Sequence, residues 1–292
     1  MKGHIASSSF IGWRRVSQYL LLSAFVMSCD SGAGLASEKT SLNIGGDGNS
    51  LSTMRLLAAA FDDANPDITV NVLTSLGSTG GIKAAAAGAI DIGTSARPLS
   101  EVERSQGITE FKYGRTPLVF VVPRATRASE VTTAQLVDIY YGKMTAWPSG
   151  DRIRLITRQA SENDSVTIAR LSEQLREASA VALARPGMLF ALTDADVAEI
   201  LNTVPGAFGI MSLSEVIANP VPLKTLALNG IAPTAASPAD GSYPLYVTMR
   251  MVTGKTPSAA ATRFIGFVQS AAGREILVRA GHSVSVPSQT KP

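Results

Sequence analysis

Gly77-Ser78-Thr79-Gly80-Gly81-Ile82-Lys83-Ala84-Ala85-Ala86-Ala87-Gly88-Ala89-Ile90-Asp91-Ile92-Gly93-Thr94-Ser95-Ala96-Arg97-Pro98-Leu99 is the stretch around which this chain is organised. It follows an apolar strand and reads as a Gly/Ser/Thr turn, a short helix with small faces, a second short strand and another hydroxyl-bearing turn. A turn such as 77–81 opening a helix sets unpaired backbone N–H groups and hydroxyls at the positive end of the helix dipole, where an oxyanion is held without a metal. Ser and Thr before a helix are also ordinary N-caps, and Gly is the ordinary tight-turn residue. Repetition favours the ligand reading. Gly45-Gly46-Asp47-Gly48-Asn49-Ser50 follows the first predicted strand and also opens a helix. Two such turns, one strand-helix unit apart, lie near each other at the strand ends of an α/β sheet.

Outward from this stretch, strands and helices alternate. Residues 41–45 and 68–73 read as strands. Between them, 51–65 carries Leu51, Met54, Leu57, Ala58 and Phe61 at helical spacing and ends at Asn65-Pro66-Asp67. The helix of the organising stretch is expected at 82–88, and Ser100 with Glu103 forms a capping-box pattern. Residues 116–123 are a continuous apolar strand, the signature of burial on both faces. A helix opens at Thr132, a strand follows at 154–157, and 158–164 is a polar loop. Helices are expected at 166–176 and 194–202, strands after the turn 204–209 and at 223–228, a long apolar strand at 243–253, and helices at 259–270 and 272–280. The alternation predicts an α/β protein with mainly parallel sheets.

The 292 residues, 45% of them hydrophobic, are enough for one large or two medium domains. The formal net charge of +3 includes Lys2, Arg14 and Arg15, which precede an apolar run from Val16 to Met27 in the pattern of a secretory signal. Without those three, the remainder of the 26 basic residues balances the 23 acidic ones, and bulk charge makes no case for nucleic acid. Val26-Met27-Ser28-Cys29 resembles a bacterial lipobox with Met at an unusual place, so Cys29 is expected to carry the lipid (palmitate) that tethers the chain to a membrane. The alternative is a plain secreted protein cut after Gly34-Leu35-Ala36. The single cysteine leaves no disulfide or thiolate metal site in the fold.

Catalytic chemistry is sparse. Histidine occurs only as His4 and His282, and His282, between Gly281 and Ser283, reads as a surface or turn residue. A triad mechanism would hang on that one ring. No metal-ligand spacing and no nucleotide-binding fingerprint is present, so neither metal nor cofactor is expected. Asp91, Asp194 and Asp196 need no role beyond capping. A chain poor in catalysts and rich in hydrogen-bond donors suits an anion binder.

Several segments together resemble the PstS-like, phosphate-binding branch of the periplasmic substrate-binding proteins of bacterial ABC transporters. They are Gly77 to Lys83, Asp91 to Leu99, Thr132 to Trp147 with its Ile139-Tyr140-Tyr141-Gly142-Lys143 core, Val204 to Gly209, and Tyr243-Pro244-Leu245. The resemblance implies a type II binding-protein fold with two α/β lobes and a ligand cleft between them. Lobe 1 would comprise 41–117 and 245–292, lobe 2 would comprise 118–244, and 1–28 and 29–40 would be signal and anchored linker. Carried over by position, it implies ligand contacts from Gly48, Asn49, Ser50, Ser78, Thr79, Gly80, Gly81, Ser95, Arg97, Arg158, Asp164 and Ser165. Helix amides at Gly80 and Gly81 would be donors, and Arg158 would grip two oxygens in a fork.

Two departures from the family pattern stand out. The family's proton-accepting Asp after the Ser matching Ser95 is Ala96 here, and its Ser-Gly-Thr after the arginine is Ser161 to Thr167. Asp47 or Asp164 is the expected replacement acceptor. The resemblance implies an extracytoplasmic, lipid-anchored monomer on the periplasmic or outer face, capturing phosphate or a related oxyanion for an ABC permease. Another anion, a sensor role, or a secreted α/β hydrolase are the alternatives.

Overall fold

The computed structural model describes residues 39–160, 163–220 and 222–284. The signal segment, Cys29, the linker before Lys39, and Ser161 and Glu162 lie outside the described residues.

The chain begins with β1 (Thr40–Gly46), whose Leu42 and Ile44 point into the core, and after a 3₁₀ turn at Gly48–Ser50 enters α1 (Leu51–Ala64). Then come β2 (Ile68–Ser75), α2 (Gly77–Ala86), β3 (Ile92–Ser95), α3 (Glu101–Ser105) and β4 (Thr109–Pro123). The succession continues with β5 (Glu130–Val131), α4 (Thr133–Tyr141), β6 (Arg154–Thr157), α5 (Asn163–Ile168), α6 (Glu173–Ala184), β7 (Leu189–Phe190) and α7 (Asp194–Thr203). It closes with β8 (Ala207–Ser212), α8 (Leu213–Ala218), β9 (Leu223–Thr225), β10 (Ala227–Leu228), α9 (Ser237–Asp240), β11 (Tyr246–Thr253), α10 (Ala259–Gln269) and α11 (Ala271–Arg279).

Among the described residues the main sheet runs β2-β1-β3-β11-β4-β8-β6-β7, with β9 also paired to β4. Its two ends are parallel: β1 with β2 and β3, and β6 with β7 and β8. The middle is antiparallel, because β11 returns between β3 and β4 and β8 runs against β4. Along β4 the partner changes. Residues 109–117 pair with β11, and 118–121 pair with β8. Leu118 to Val122 are fully buried, as a strand covered on both faces requires.

Several boundaries differ from expectation. The strand expected at 116–123 begins at Thr109, where half-buried residues gain a full ladder from β11. The helix expected at 82–88 begins at Gly77, so the Gly/Ser/Thr segment is its first turns. That helix can sit directly on the sheet because its inner positions lack side chains: a Cβ on Gly81 would lie 2.7 Å from Gly46 Cα and 2.9 Å from the Thr94 carbonyl oxygen. The single helix expected at 166–176 is two, α5 and α6, separated where Ser172 caps the second through Leu175 N. His282, read as a surface or turn residue, is buried at 1% exposure beside the ring of Tyr113. Its Nε2 lies 2.9 Å from Thr53 Oγ1, and burial pushes its pKa down to about 4, leaving a neutral ring.

Candidate anion site

Loops at the ends of β1, β3 and β6 and the first turns of α2, α5 and α7 meet in one hydrogen-bonded cluster. Asp47, buried at 2% exposure, stands at its centre. Its Oδ1 accepts from Asn49 N (3.0 Å), which is the cap of the 3₁₀ turn, and its Oδ2 accepts from Ser78 Oγ (2.7 Å). Ser78 Oγ in turn accepts from Ala96 N (3.1 Å) and from Asn163 Nδ2 (3.3 Å). Ser50 is wholly buried and donates to Asp47 O (2.6 Å) or to Thr94 Oγ1 (2.7 Å).

On the other side Arg158, 5% exposed, places Nη1 2.5 Å from Asp164 Oδ2 and 2.5 Å from Asp194 Oδ1, and Nη2 donates to Leu192 O (3.1 Å). Asn49 Nδ2 donates to Asp164 Oδ1 (3.4 Å) and joins the two halves. Ser50, Ser78 and Arg158 therefore belong to one connected network. Burial pushes the Asp194 carboxyl above its ordinary value, against the pull of Arg158 and of the Ser212 amide.

The open donors are at α2. With Leu76 as the N-cap of α2, the amides of Ser78 and Thr79 precede the helical ladder and, among the described residues, have no other partner, whereas the Gly80 amide is the ladder's first donor. Gly81, the fifth residue of α2, has its amide within the helical ladder, so its place in the chain comes from close packing and not from donation.

Arg97 points elsewhere. Its guanidinium makes two bonds to Glu103, Nη2 to Oε1 (2.7 Å) and Nη1 to Oε2 (2.9 Å), and it also contacts Pro98 O and the exposed Thr79 hydroxyl. That pairing holds the Glu103 carboxyl down at about 2. Ser95 Oγ is used within its own turn, accepting from Arg97 N and donating to Arg97 O. Ser165 faces a small cavity of about 20 Å³ shared with Tyr140, Thr157 and Arg158. Gly48 lines a separate recess of about 390 Å³ with Ser52, Arg55, Thr193, Asp194 and Glu215.

Three partners escaped the reading of the chain. Asp194 was assigned only to capping, yet Thr193 and Asp196 already form the capping box of α7 and leave Asp194 for Arg158 and Ser212. That surplus of cap residues was a usable signal. Asn163 and Thr94 carried none, since ordinary polar residues acquire these partners only in three dimensions. Among the described residues no group of three or more His, Cys, Asp and Glu could hold a metal ion.

Beside the cluster Glu215 accepts from Ser52 N (3.0 Å) and Ser52 Oγ (2.5 Å) at the start of α1, and burial, helped by Asp194, pushes its pKa up to about 7. An acid whose folded value lies above its unfolded value of about 4.5 holds its extra proton in the native state, so stability is full below pH ~4.5 and falls as pH rises through about 7. Glu215→Gln is expected to flatten the pH dependence of unfolding free energy in that window, removing a change on the order of 3 kcal/mol across it. Urea melts from pH 4.5 to 8 measure it, and an unchanged curve contradicts the assignment.

A domain model described as the PBP superfamily domain matches residues 31–272. The phosphate-binding protein PstS 2 of Streptococcus pneumoniae is 34% identical over 106 residues, 36% of this chain, and the alignment spans about a third (36%) of that relative. The phosphate-binding protein PstS of Bacillus subtilis is 24% identical over 271 residues, covering 86% of this chain and 87% of the other. Among solved structures, a Clostridium perfringens protein crystallised with bound phosphate superposes with a TM-score of 0.71 at 20% identity, over 85% of this chain and all of the other. That likeness concerns the α/β fold.

Proposed function

This chain belongs to the PBP superfamily, and from that premise we infer that it is an extracytoplasmic solute-binding protein for phosphate or a closely similar tetrahedral oxyanion, handing it to an ABC permease. It is a binding protein and not an enzyme. The observation that carries the reading is the convergence of Ser78, the free amides at the start of α2, Asn49 and Arg158 within one buried polar network. Backbone amides at a helix start and a guanidinium are what a desolvated oxyanion needs to replace its water.

The ligand-contact set is proposed as Gly48, Asn49, Ser50, Ser78, Thr79, Gly80, Arg158, Asp164 and Ser165. Buried carboxylates among these donors favour an anion that still carries a proton. Hydrogen phosphate can donate to Asp47 or Asp164, whereas sulfate has no proton to give and would face an unpaired charge. Closure is proposed to bring lobe 2 (118–244) onto lobe 1 (41–117 with 245–292), bending where β4 exchanges β11 for β8. The chain is proposed to act as a monomer, tethered through a lipid on Cys29. Among the described residues no helix is long and apolar enough to cross a membrane.

Calorimetric titration tests this. Wild-type protein should bind phosphate and reject sulfate, and Ser78→Ala should weaken phosphate by about 10- to 100-fold, the worth of one charge-assisted hydrogen bond. Asp47→Asn or Asp164→Asn should narrow the gap between phosphate and sulfate. Absence of heat and of thermal stabilisation with any oxyanion would refute the reading.

A further inference from the structure

A second basic site lies outside the cluster. A recess of about 590 Å³ is formed by β4, β11 and the α10–α11 corner, and is lined by Lys112, Arg115, Thr248, Arg250, Arg274 and Ser283 among others. No carboxylate is among its described lining residues. Lys112 and Arg250 are direct cross-strand partners, so two like charges face each other on one side of the sheet, an arrangement that costs stability unless an anion lies between them.

Arg250 is 8% exposed and its burial lowers its pKa, the sign of a cation short of compensation. Its Nη1 donates to Thr248 O (2.7 Å) and Ala96 O (3.3 Å), and Nε lies 3.3 Å from Glu110 Oε2. Among the described residues Nη2 has no partner. Glu110 cannot neutralise the group alone, because it also pairs with Arg104 at 3.5 Å and accepts from Leu99 N. Arg274 spends Nη1 on Gln269 O (2.6 Å), and Arg115 lies over the Tyr246 ring at 5.3 Å with Nη1 3.4 Å from Pro238 O.

We propose that this recess binds a phosphorylated ligand bearing several negative charges, of which inorganic tripolyphosphate is the simplest example. Planar guanidinium forks from Arg250 and Arg274 and the point charge of Lys112 match a chain of phosphate oxygens. The space exceeds what one tetrahedral anion needs, and the site shares no residue with the cluster around Ser78 and Arg158, so it stands or falls independently of it.

The test titrates the full chain with sodium tripolyphosphate while inorganic phosphate saturates the other site. One equivalent is expected to bind, weakening with rising salt, by tenfold or more in Lys112→Glu/Arg274→Glu, and not at all in response to Ser78→Ala. Both charge-reversed residues sit at the recess surface, and circular dichroism with thermal melts confirms the fold of the double variant. A parallel sedimentation assay with phosphatidylglycerol and phosphatidylcholine vesicles separates the sources of the phosphate group. Binding to phosphatidylglycerol vesicles with none to tripolyphosphate would overturn the proposal, because that headgroup carries a single charge. No binding of tripolyphosphate or of anionic vesicles, or binding unchanged by the double variant, overturns the proposal.

Discussion

Replacing Arg158 by alanine is expected to destabilise the protein by about 3–5 kcal/mol at neutral pH, the range for removing one partner of a buried ion pair, and to abolish oxyanion binding. Asp164 and Asp194 are 1% and 2% exposed and both use Arg158 Nη1, so the variant leaves two carboxylates in the interior without the cation that faces them. The sign of the pH dependence follows from Asp194. Its folded pKa is already above the ordinary value because of burial, with Arg158 opposing the rise. Without the arginine it climbs further, so the variant regains stability as acid neutralises the carboxyl and is weakest above pH ~7. Denaturant melts across pH 4 to 8 should show the gap to wild type closing toward the acid end. Arg158→Lys should rescue only part of it, since a single ammonium cannot serve Asp164, Asp194 and the Leu192 carbonyl together. A gap of constant size over that range would mean that the pair is not what stabilises this region.

Gly81→Ala is expected to destabilise the contact between α2 and the sheet. In an isolated helix the change would help by about 1 kcal/mol. Here the new Cβ meets backbone on every side: Gly46 Cα at 2.7 Å, Thr94 O at 2.9 Å and Gly45 O at 3.1 Å. Backbone cannot rotate away as a side chain can, so α2 must lift from β1 and β3. Overpacking costs about 1–3 kcal/mol and occasionally more. The net expectation is a loss of about 2 kcal/mol, a fall in Tm of several degrees for a domain of this size, and a drop in phosphate affinity as Ser78 moves with its helix. Gly80→Ala is the control. It has a single near neighbour, the Leu76 Cβ at 3.1 Å, in place of three backbone atoms, so its loss should be clearly smaller than that of Gly81→Ala. Equal melting of the two variants would remove the packing explanation for Gly81.

What could be read ahead of the structure follows from how local the signals are. The helix of Leu51 to Phe61, the capping box at Ser100, the helix start at Thr132 and the buried run of 116–123 are written in neighbouring residues, and each lies where the chain places it. The glycine-rich turns were legible as special, and so was the pairing of two of them at strand ends. Arg97 was not, because its partner Glu103 sits in the next helix and competes successfully for its guanidinium. Ser95 was lost to its own turn for the same reason. Asp194 looked like a cap because the first turn of a helix is where an Asp is expected.

By itself the amino-acid sequence determined the α/β alternation, the caps, the two hydroxyl-bearing turns and the scarcity of catalytic side chains, since each depends on residues within a few positions of one another. Only the tertiary structure decided that Asp164 and Asp194 share one buried arginine while Asp47 joins the same network through Asn49 and Ser78, that Gly81 is a point of contact between helix and sheet, and that Lys112 meets Arg250. Those outcomes depend on strand order and on burial, and burial is what turns a distant charge into a partner.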